Sequence, residues 1–352
     1  MVGHDSNEWN LTSVNHSVSQ SESSISCLFI AYRRSAIEDF YGTYVVSIVL
    51  NLICALPASV LNFLVMLAVW KKTQLHTPSN VLLCNLALTD FGVGFLVQPI
   101  FVAHKFGAIY GNVKLHCIAS LTSRTLASVL GAVSLTTLTA ISIDRLLALV
   151  LSVRYRTVVT VRKTAKAVVF LWIISFIVTI PLFIYPMSFV YSMILLLVVC
   201  LTVTTLAYAR LLRSIQRHRC RIEADLQASR LSQASSNAHL SQVTQHNQPT
   251  PKTQVSQDPQ QQADSTTVAK YRSSTRTVIW LVLLMIIFYS PYLILNIVLA
   301  VTRTGGDHFK AAFNIAHSIL FMNSLVNPAF YCWKIRSIRR AILEICSDIW
   351  PE

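Results

Sequence analysis

Asp90 is the only Asp, Glu, Lys or Arg between positions 79 and 104, in the run Asn85-Leu86-Ala87-Leu88-Thr89-Asp90. A carboxylate in so apolar a stretch is costly, roughly 2.5–3.5 kcal/mol if the stretch sits mid-membrane. It therefore needs polar company on neighbouring segments. Asn62, Ser134, Asn323, Ser324 and Asn327 stand at the middle of other apolar stretches. Their oxygens, with one carboxylate, form the hard-ligand set that suits a small cation. An interhelical hydrogen-bond network without an ion uses the same residues, and the two readings are evenly matched on spacing alone. Asp144-Arg145-Leu146 is a second charged motif, and an adjacent acid and base at an interface can simply pair. A third motif is Asn327-Pro328-Ala329-Phe330-Tyr331, where a proline beside polar side chains frees a backbone carbonyl and permits a hinge. Pro57, Pro99 and Pro291 mark further kink positions.

The elements that must position these residues follow from hydropathy. Hydrophobic residues make up 53% of the 352 and charged residues only 12%, where a soluble domain carries about 25%. An apolar run of about 20 residues crosses a bilayer as a helix. Seven such runs occur, at 44–70, 79–104, 118–151, 165–186, 188–212, 278–301 and 311–333. The fourth and fifth are separated only by Tyr185, Pro186 and Met187. The formal charge of +14 is spread between and after these runs, which disfavours a nucleic-acid partner.

Orientation comes from the basic residues. Lys71, Lys72, Arg154, Arg156, Arg162, Lys163, Arg210, Arg213, Lys334, Arg336, Arg339 and Arg340 collect on one side, which is expected to be cytoplasmic. Arg33, Arg34, Lys105, Lys114, Arg303 and Lys310 fall on the other. The amino terminus is then outside, and the sequons Asn10-Leu11-Thr12 and Asn15-His16-Ser17 agree with that. The eight cysteines include no CxxC pair and suggest no metal site. The expected organisation is an outside, glycosylated tail over 1–42, helices one to five over 43–213, and a disordered cytoplasmic loop with basic ends over 214–276. Helices six and seven over 277–333 come next, then an amphipathic eighth helix and short tail over 334–352.

Asn62, Asp90, Asp144-Arg145, Trp172, Pro291 and Asn327-Pro328-xx-Tyr331 occur in this order, in six of the seven spans. In this the sequence resembles the rhodopsin-like (class A) G-protein-coupled receptors over residues 43–346. Its flavour is nearest the adenosine, melanocortin, cannabinoid and lysophospholipid receptors. The turn Leu75-His76-Thr77-Pro78-Ser79-Asn80 is similar to their first intracellular loop.

The resemblance implies an all-α integral membrane protein, a seven-transmembrane-helix bundle with a short amphipathic eighth helix. It implies a plasma-membrane receptor that binds a small-molecule, lipid or peptide ligand and activates a heterotrimeric G protein as helix six swings outward. Arrestin, receptor kinases and membrane lipids are implied partners. Asp90, Ser134, Asn323, Ser324 and Asn327 match a sodium pocket, which favours Na+ as an allosteric ion there. Asp144, Arg145, Val153, Tyr208, Tyr289, Pro291, Asn327, Pro328 and Tyr331 match positions of G-protein coupling and activation. Arg124, Ala127, Gly131, Tyr289, Asn296 and Phe321 match positions of the ligand pocket. Phe321 stands where opsins keep the retinal-binding lysine and Ala127 where amine receptors keep an aspartate, so retinal and biogenic amines are disfavoured. Asn296 is similar to the purine-holding asparagine of adenosine receptors. Arg124 lies near the phosphate-binding arginine of lysophospholipid receptors, although an arginine snorkelling to the interface is the commoner case. Cys346 is a palmitoylation candidate, and a plain thiol is the alternative.

The departures are as informative. Leu146 replaces the family's tyrosine, Tyr289 its tryptophan and Cys200 a proline, while Tyr271 stands where an acid usually restrains Arg145. Elevated basal signalling is expected from that last change. The family's disulfide starts at the top of helix three, where Cys117 stands, but its usual partner loop has no cysteine here. The expected pairing is Cys27–Cys117, with two free thiols as the alternative. A transporter would need a repeat or a second membrane carboxylate, and an enzyme a constellation of His, Glu or Cys at catalytic spacing; the sequence offers neither. A non-signalling seven-helix decoy or scaffold receptor is the competing reading.

Overall fold

The computed structural model of the chain describes residues 25–27, 30–32, 34–151, 154–243, 283–303 and 306–349. Two short antiparallel strands open it, β1 (Ile25–Cys27) and β2 (Ile30–Tyr32), with Ser26 opposite Ala31. A short helix α1 (Arg34–Asp39) leads into α2 (Tyr41–Lys71). Then come α3 (Pro78–Ile109), α4 (Val113–Leu151), the one-turn α5 (Tyr155–Val158) and α6 (Val161–Ile184). They are followed by α7 (Pro186–Val243), α8 (Leu283–Thr302), α9 (Asp307–Lys334) and α10 (Arg336–Ile349).

Among the described residues six helices are long and apolar enough to cross a membrane: α2, α3, α4, α6, the Met187–Arg217 part of α7, and α8. The seventh long helix, α9, is diluted by Asn314, His317, Asn323, Ser324 and Asn327. Those residues are buried against other helices or line a cavity, where polar side chains belong in a membrane bundle. The apolar faces of α2 and α6 are instead exposed on the outside of the bundle, as at Leu56, Trp70, Phe170 and Phe176. In a soluble protein such a girdle would be a liability; in a bilayer it is the lipid-facing surface.

The central core joins Leu86 of α3, Leu135 and Leu138 of α4, Leu197 and Cys200 of α7, and Met285 and Tyr289 of α8. Hydrogen bonds tie the helices across it. Asn85 donates to Thr137 Oγ1 (2.8 Å) and accepts from Trp172 Nε1 (3.0 Å), joining α3, α4 and α6. Asn51 donates to Ser318 Oγ (3.0 Å) and Asn62 to the Ser324 carbonyl (2.8 Å), joining α2 to α9. Thr77 caps α3 by accepting from Asn80 N (3.3 Å), with Pro78 in the first turn, where its missing N–H costs nothing.

Three expectations are corrected here. The amino-terminal region is not wholly a tail: β1, β2 and α1 fold onto the bundle, and Tyr32 Oη donates to the Ala108 carbonyl (3.4 Å). The loop expected to be disordered over 214–276, with basic ends continuing the flanking helices, is helical further than expected, because α7 runs unbroken to Val243. Its Gln- and Ser-rich sequence contains no Gly or Pro before Pro249, so nothing in it stops a helix already nucleated in the membrane. Residues 244–276 lie outside the described ones, as do Asn10, Asn15, Val153 and Tyr271. Lastly, the link between the fourth and fifth spans is tighter than expected. Tyr185 alone is extended (φ −140°, ψ 108°) between Ile184 and the start of α7.

Candidate functional site: two buried polar centres and a charged end

The bundle has a strand end, where β1, β2 and the α3–α4 turn lie, and an opposite end, where Asp144 and α10 lie. At the strand end a cavity of about 380 Å³ opens among α2, α3, α4, α6, α7, α8 and α9. All six residues expected in the pocket line it: Arg124, Ala127, Gly131, Tyr289, Asn296 and Phe321. Arg124 lines this cavity from α4 and remains solvent-accessible there.

Lys105 was expected among the outside loop charges, and the structure corrects this. It lies inside α3, 2% exposed, and lines the cavity. Its ammonium donates to Asn314 Oδ1 of α9 (2.5 Å) and sits 4.5 Å from the Phe101 ring centroid and 5.0 Å from that of Tyr44. Such cation–π contacts offset part of the lost hydration. The local cause of the inward placement is a wide turn at Val93–Val97, where Gln98 N bonds to the Val93 carbonyl five residues back, just before Pro99. One extra residue in a turn rotates the rest of the helix by about 100°. His104 and His116 complete this wall, their rings 4.4 Å apart, with His104 Nδ1 3.2 Å from the His116 carbonyl. Gly107 permits the approach, since a Cβ there would stand 2.7 Å from His116 N. Opposite, Tyr292, Phe313, His317 and Phe321 form a continuous chain of ring contacts. Sequence reasoning missed Lys105, His104, His116, Asn314 and His317. A lysine and two histidines closely spaced about the α3–α4 turn were the available signal.

The second centre lies deeper. Asp90 is buried and accepts from Ser324 Oγ and Asn327 Nδ2, both at 2.8 Å. Asn323 Oδ1 and Asn62 Oδ1 are buried without a hydrogen-bond partner, and Ser134 Oγ, beside the Tyr289 hydroxyl, makes no well-aligned one. Of the expected cluster, Ser324 and Asn327 thus reach the carboxylate, and the other three members keep an oxygen without a well-aligned hydrogen bond. A carboxylate with spare lone pairs and orphaned oxygens is the donor set that a hard cation fits.

At the opposite end Asp144 is fully engaged. It accepts from Ser79 Oγ (2.6 Å) and Tyr155 Oη (2.5 Å), while Arg145 Nε stays 3.9 Å away and the Arg145 side chain is 32% exposed. Burial and the bond to Asp144 push the Tyr155 phenol above its ordinary value. Tyr208 is half-buried on α7, Pro291 half-buried on α8, and Tyr289 and Pro328 are buried. The side chain of Tyr331 is outside the described residues.

The family described as the seven-transmembrane receptors (rhodopsin family) matches residues 61–190 and 184–331. This chain belongs to that family. The receptor is 34% identical to the adenosine receptor A3 of Ovis aries over 136 residues, 39% of this chain and 41% of that protein. The chain thus spans about two fifths of the length of those adenosine receptors. It is 22% identical to the 5-hydroxytryptamine receptor 1B of Equus caballus over 337 residues, 86% of each chain, and 24% identical to that of Mus musculus with the same coverage. The seven-helix bundle and the multi-pass membrane placement follow from the family and the apolar helices together.

The amphipathic eighth helix expected from the resemblance is α10. Ile338, Ala341 and Ile345 are buried, Ala341 and Ile345 against Ala68 and Leu75, while Arg339, Arg340 and Glu344 face out. Lys72 Nζ meets Glu344 Oε2 at 2.6 Å, and that carboxylate holds the Lys72 ammonium above its ordinary value. Cys346 is exposed with a free thiol. Cys117 is disulfide-bonded. Cys54, Cys84, Cys200, Cys220, Cys332 and Cys346 are free, and the side chain of Cys27 is outside the described residues.

Proposed function

We propose that this receptor binds an extracellular small-molecule, lipid or peptide ligand in the strand-end cavity and activates a heterotrimeric G protein at the Asp144 end. The supporting observation is the arrangement of the bundle itself. A ligand-sized cavity and the Asp144-Arg145 pair sit at opposite ends of α4, and Tyr289 of α8 lines the cavity between them. Outward movement of α8 would open the surface beside Arg145, whose side chain the Ser79–Asp144–Tyr155 cluster holds only loosely. The strand end is extracellular in this reading, the chain resides in the plasma membrane, and arrestin and receptor kinases act on the same inner face. Cys27 and Cys117 form the disulfide that fastens the amino-terminal hairpin over the cavity. A non-reducing peptide map carrying a Cys27–Cys117 cross-link is expected; two alkylatable thiols would remove this part of the proposal.

Asp90, Ser134, Asn323, Ser324 and Asn327 would hold Na+, which when bound neutralises the buried carboxylate and engages the orphaned oxygens. The relatives carry the names of adenosine and 5-hydroxytryptamine. Asn296 in the cavity wall is compatible with a purine, whereas among the described residues no carboxylate lines the cavity to hold an amine.

The test is G-protein activation in cells expressing the chain at confirmed surface levels, with Arg145→Ala as control. Ligand-free activation across the main Gα classes that disappears in Arg145→Ala is expected. Equal silence of both proteins would favour the decoy reading that Leu146 and Tyr289 raise.

A further inference from the structure

We infer that the ligand of the strand-end cavity is an organic anion, a carboxylate or a phosphate on an apolar or aromatic body, with its charge held between Lys105, Arg124, Asn314 and His116. This rests on the proposal that the cavity is the ligand site. Three observations carry it. Lys105 and Arg124 both line the cavity, and among the described residues no Asp or Glu does. Among the described residues, Lys310 is the one lining cation paired with a carboxylate, Asp307 Oδ1 at 3.0 Å.

Lys105 itself is almost fully buried yet hydrogen-bonds only to a neutral amide oxygen. A buried ammonium has three N–H donors, and leaving it without a counter-charge is strongly unfavourable. Finally, the remaining poorly satisfied groups around it include donors. Asn314 Nδ2, beside the Tyr44 hydroxyl, and the ring nitrogens of His116, beside His104, make no well-aligned hydrogen bond, and one His116 nitrogen carries a proton in the neutral ring. A negatively charged group with several acceptor oxygens supplies the counter-charge that Lys105 and Arg124 lack in the cavity, and a neutral or cationic ligand supplies none. Below, Phe321, Leu135, Leu197 and Met193 give the cavity an apolar floor for the rest of the molecule.

The experiment uses the full chain in nanodiscs of phosphatidylcholine, zwitterionic with no net charge, and reads thermal stability and binding. Three anions are compared with uncharged counterparts: oleate with oleyl alcohol, oleoyl lysophosphatidate with monoolein, and adenosine 5′-monophosphate with adenosine. At least one anion should raise Tm well beyond its counterpart, and the pair that does so separates a lipid from a nucleotide source. Lys105→Met and Arg124→Gln should each weaken that anion by about tenfold to a hundredfold, while Lys105→Arg retains most of the affinity. Without ligand, Lys105→Met should melt no lower than the unaltered chain, because it removes an uncompensated charge. If every anion matches its neutral counterpart, or the anion's advantage persists in both charge-removing variants, the inference is overturned. So it is if Lys105→Met melts lower and no anion shifts the unaltered chain, which would make Lys105 a strut for Asn314. G-protein activation that is sensitive to Arg145→Ala in the same preparations separates this failure from failure of the receptor reading.

Discussion

The receptor buries two polar centres in one bundle, and they are unsatisfied in opposite senses. On the Asp90 side a carboxylate bonded to Ser324 and Asn327 belongs to a set of polar residues in which Asn323 and Asn62 keep unsatisfied acceptor oxygens. Around Lys105 an ammonium accompanies nitrogens without a well-aligned hydrogen bond, on Asn314 and His116. One set fits a cation and the other an anion. Buried charge alone does not indicate what a site is built for, since Asp144 is also buried and has its partners already. What distinguishes the two centres is the kind of atom left without a well-aligned hydrogen bond.

Substitutions test this contrast directly. The largest effect is expected from Lys105→Glu, which puts an acid into the cavity. Binding of the preferred anion, measured in nanodiscs, should fall by more than about a hundredfold. Retained affinity would mean that Lys105 does not face the ligand. Next is Asp90→Asn. The unaltered chain should melt higher in NaCl than in choline chloride, by an amount corresponding to roughly 1.4–2.7 kcal/mol at sodium about 10 to 100 times its dissociation constant. The variant should lose that difference, and a surviving difference would place the ion elsewhere.

A smaller effect is expected where the charge is already satisfied. Tyr155→Phe removes one of the two hydroxyls on Asp144 and should cost about 1–2 kcal/mol, read as a lower Tm. The sign is opposite to that expected for ligand-free Lys105→Met. An unchanged Tm would show that water replaces the phenol. The smallest effect belongs to Lys72→Gln. The Lys72–Glu344 pair is exposed on both sides, so its removal should leave thermal unfolding unchanged. A clear drop would show that this pair, rather than the apolar face of α10, fastens that helix.

Much of this was legible in the chain alone. Uniform apolar runs with sparse charge set the spanning helices, and Asp90 announced a polar cluster because a lone mid-span carboxylate has few tolerable environments. Two of its predicted companions, Ser324 and Asn327, do touch it. The alternation of apolar and charged residues in 336–349 likewise marked the amphipathic α10. Other features were not legible. Composition suggested a disordered loop with helical, basic ends after residue 213, but it does not register how far a helix nucleated in the membrane carries on where no Gly or Pro interrupts it. The strand pair β1–β2 is held by contacts with distant residues such as Ala108.

Lys105 marks the boundary between the two kinds of knowledge. Hydropathy places it at the end of an apolar run, and that position reads as a charge emerging into water. Only the wide turn at Val93–Val97 re-phases α3, and only the meeting of α3 with α9 sets Asn314 beside the ammonium. The number of spans, their apolar faces and the family are written in the linear chain, because each depends on local composition and order. Which charges face inward, and what each one lacks, belongs to the folded bundle. Those depend on the rotation of helices about their axes and on partners about two hundred residues away, such as Asn314 for Lys105.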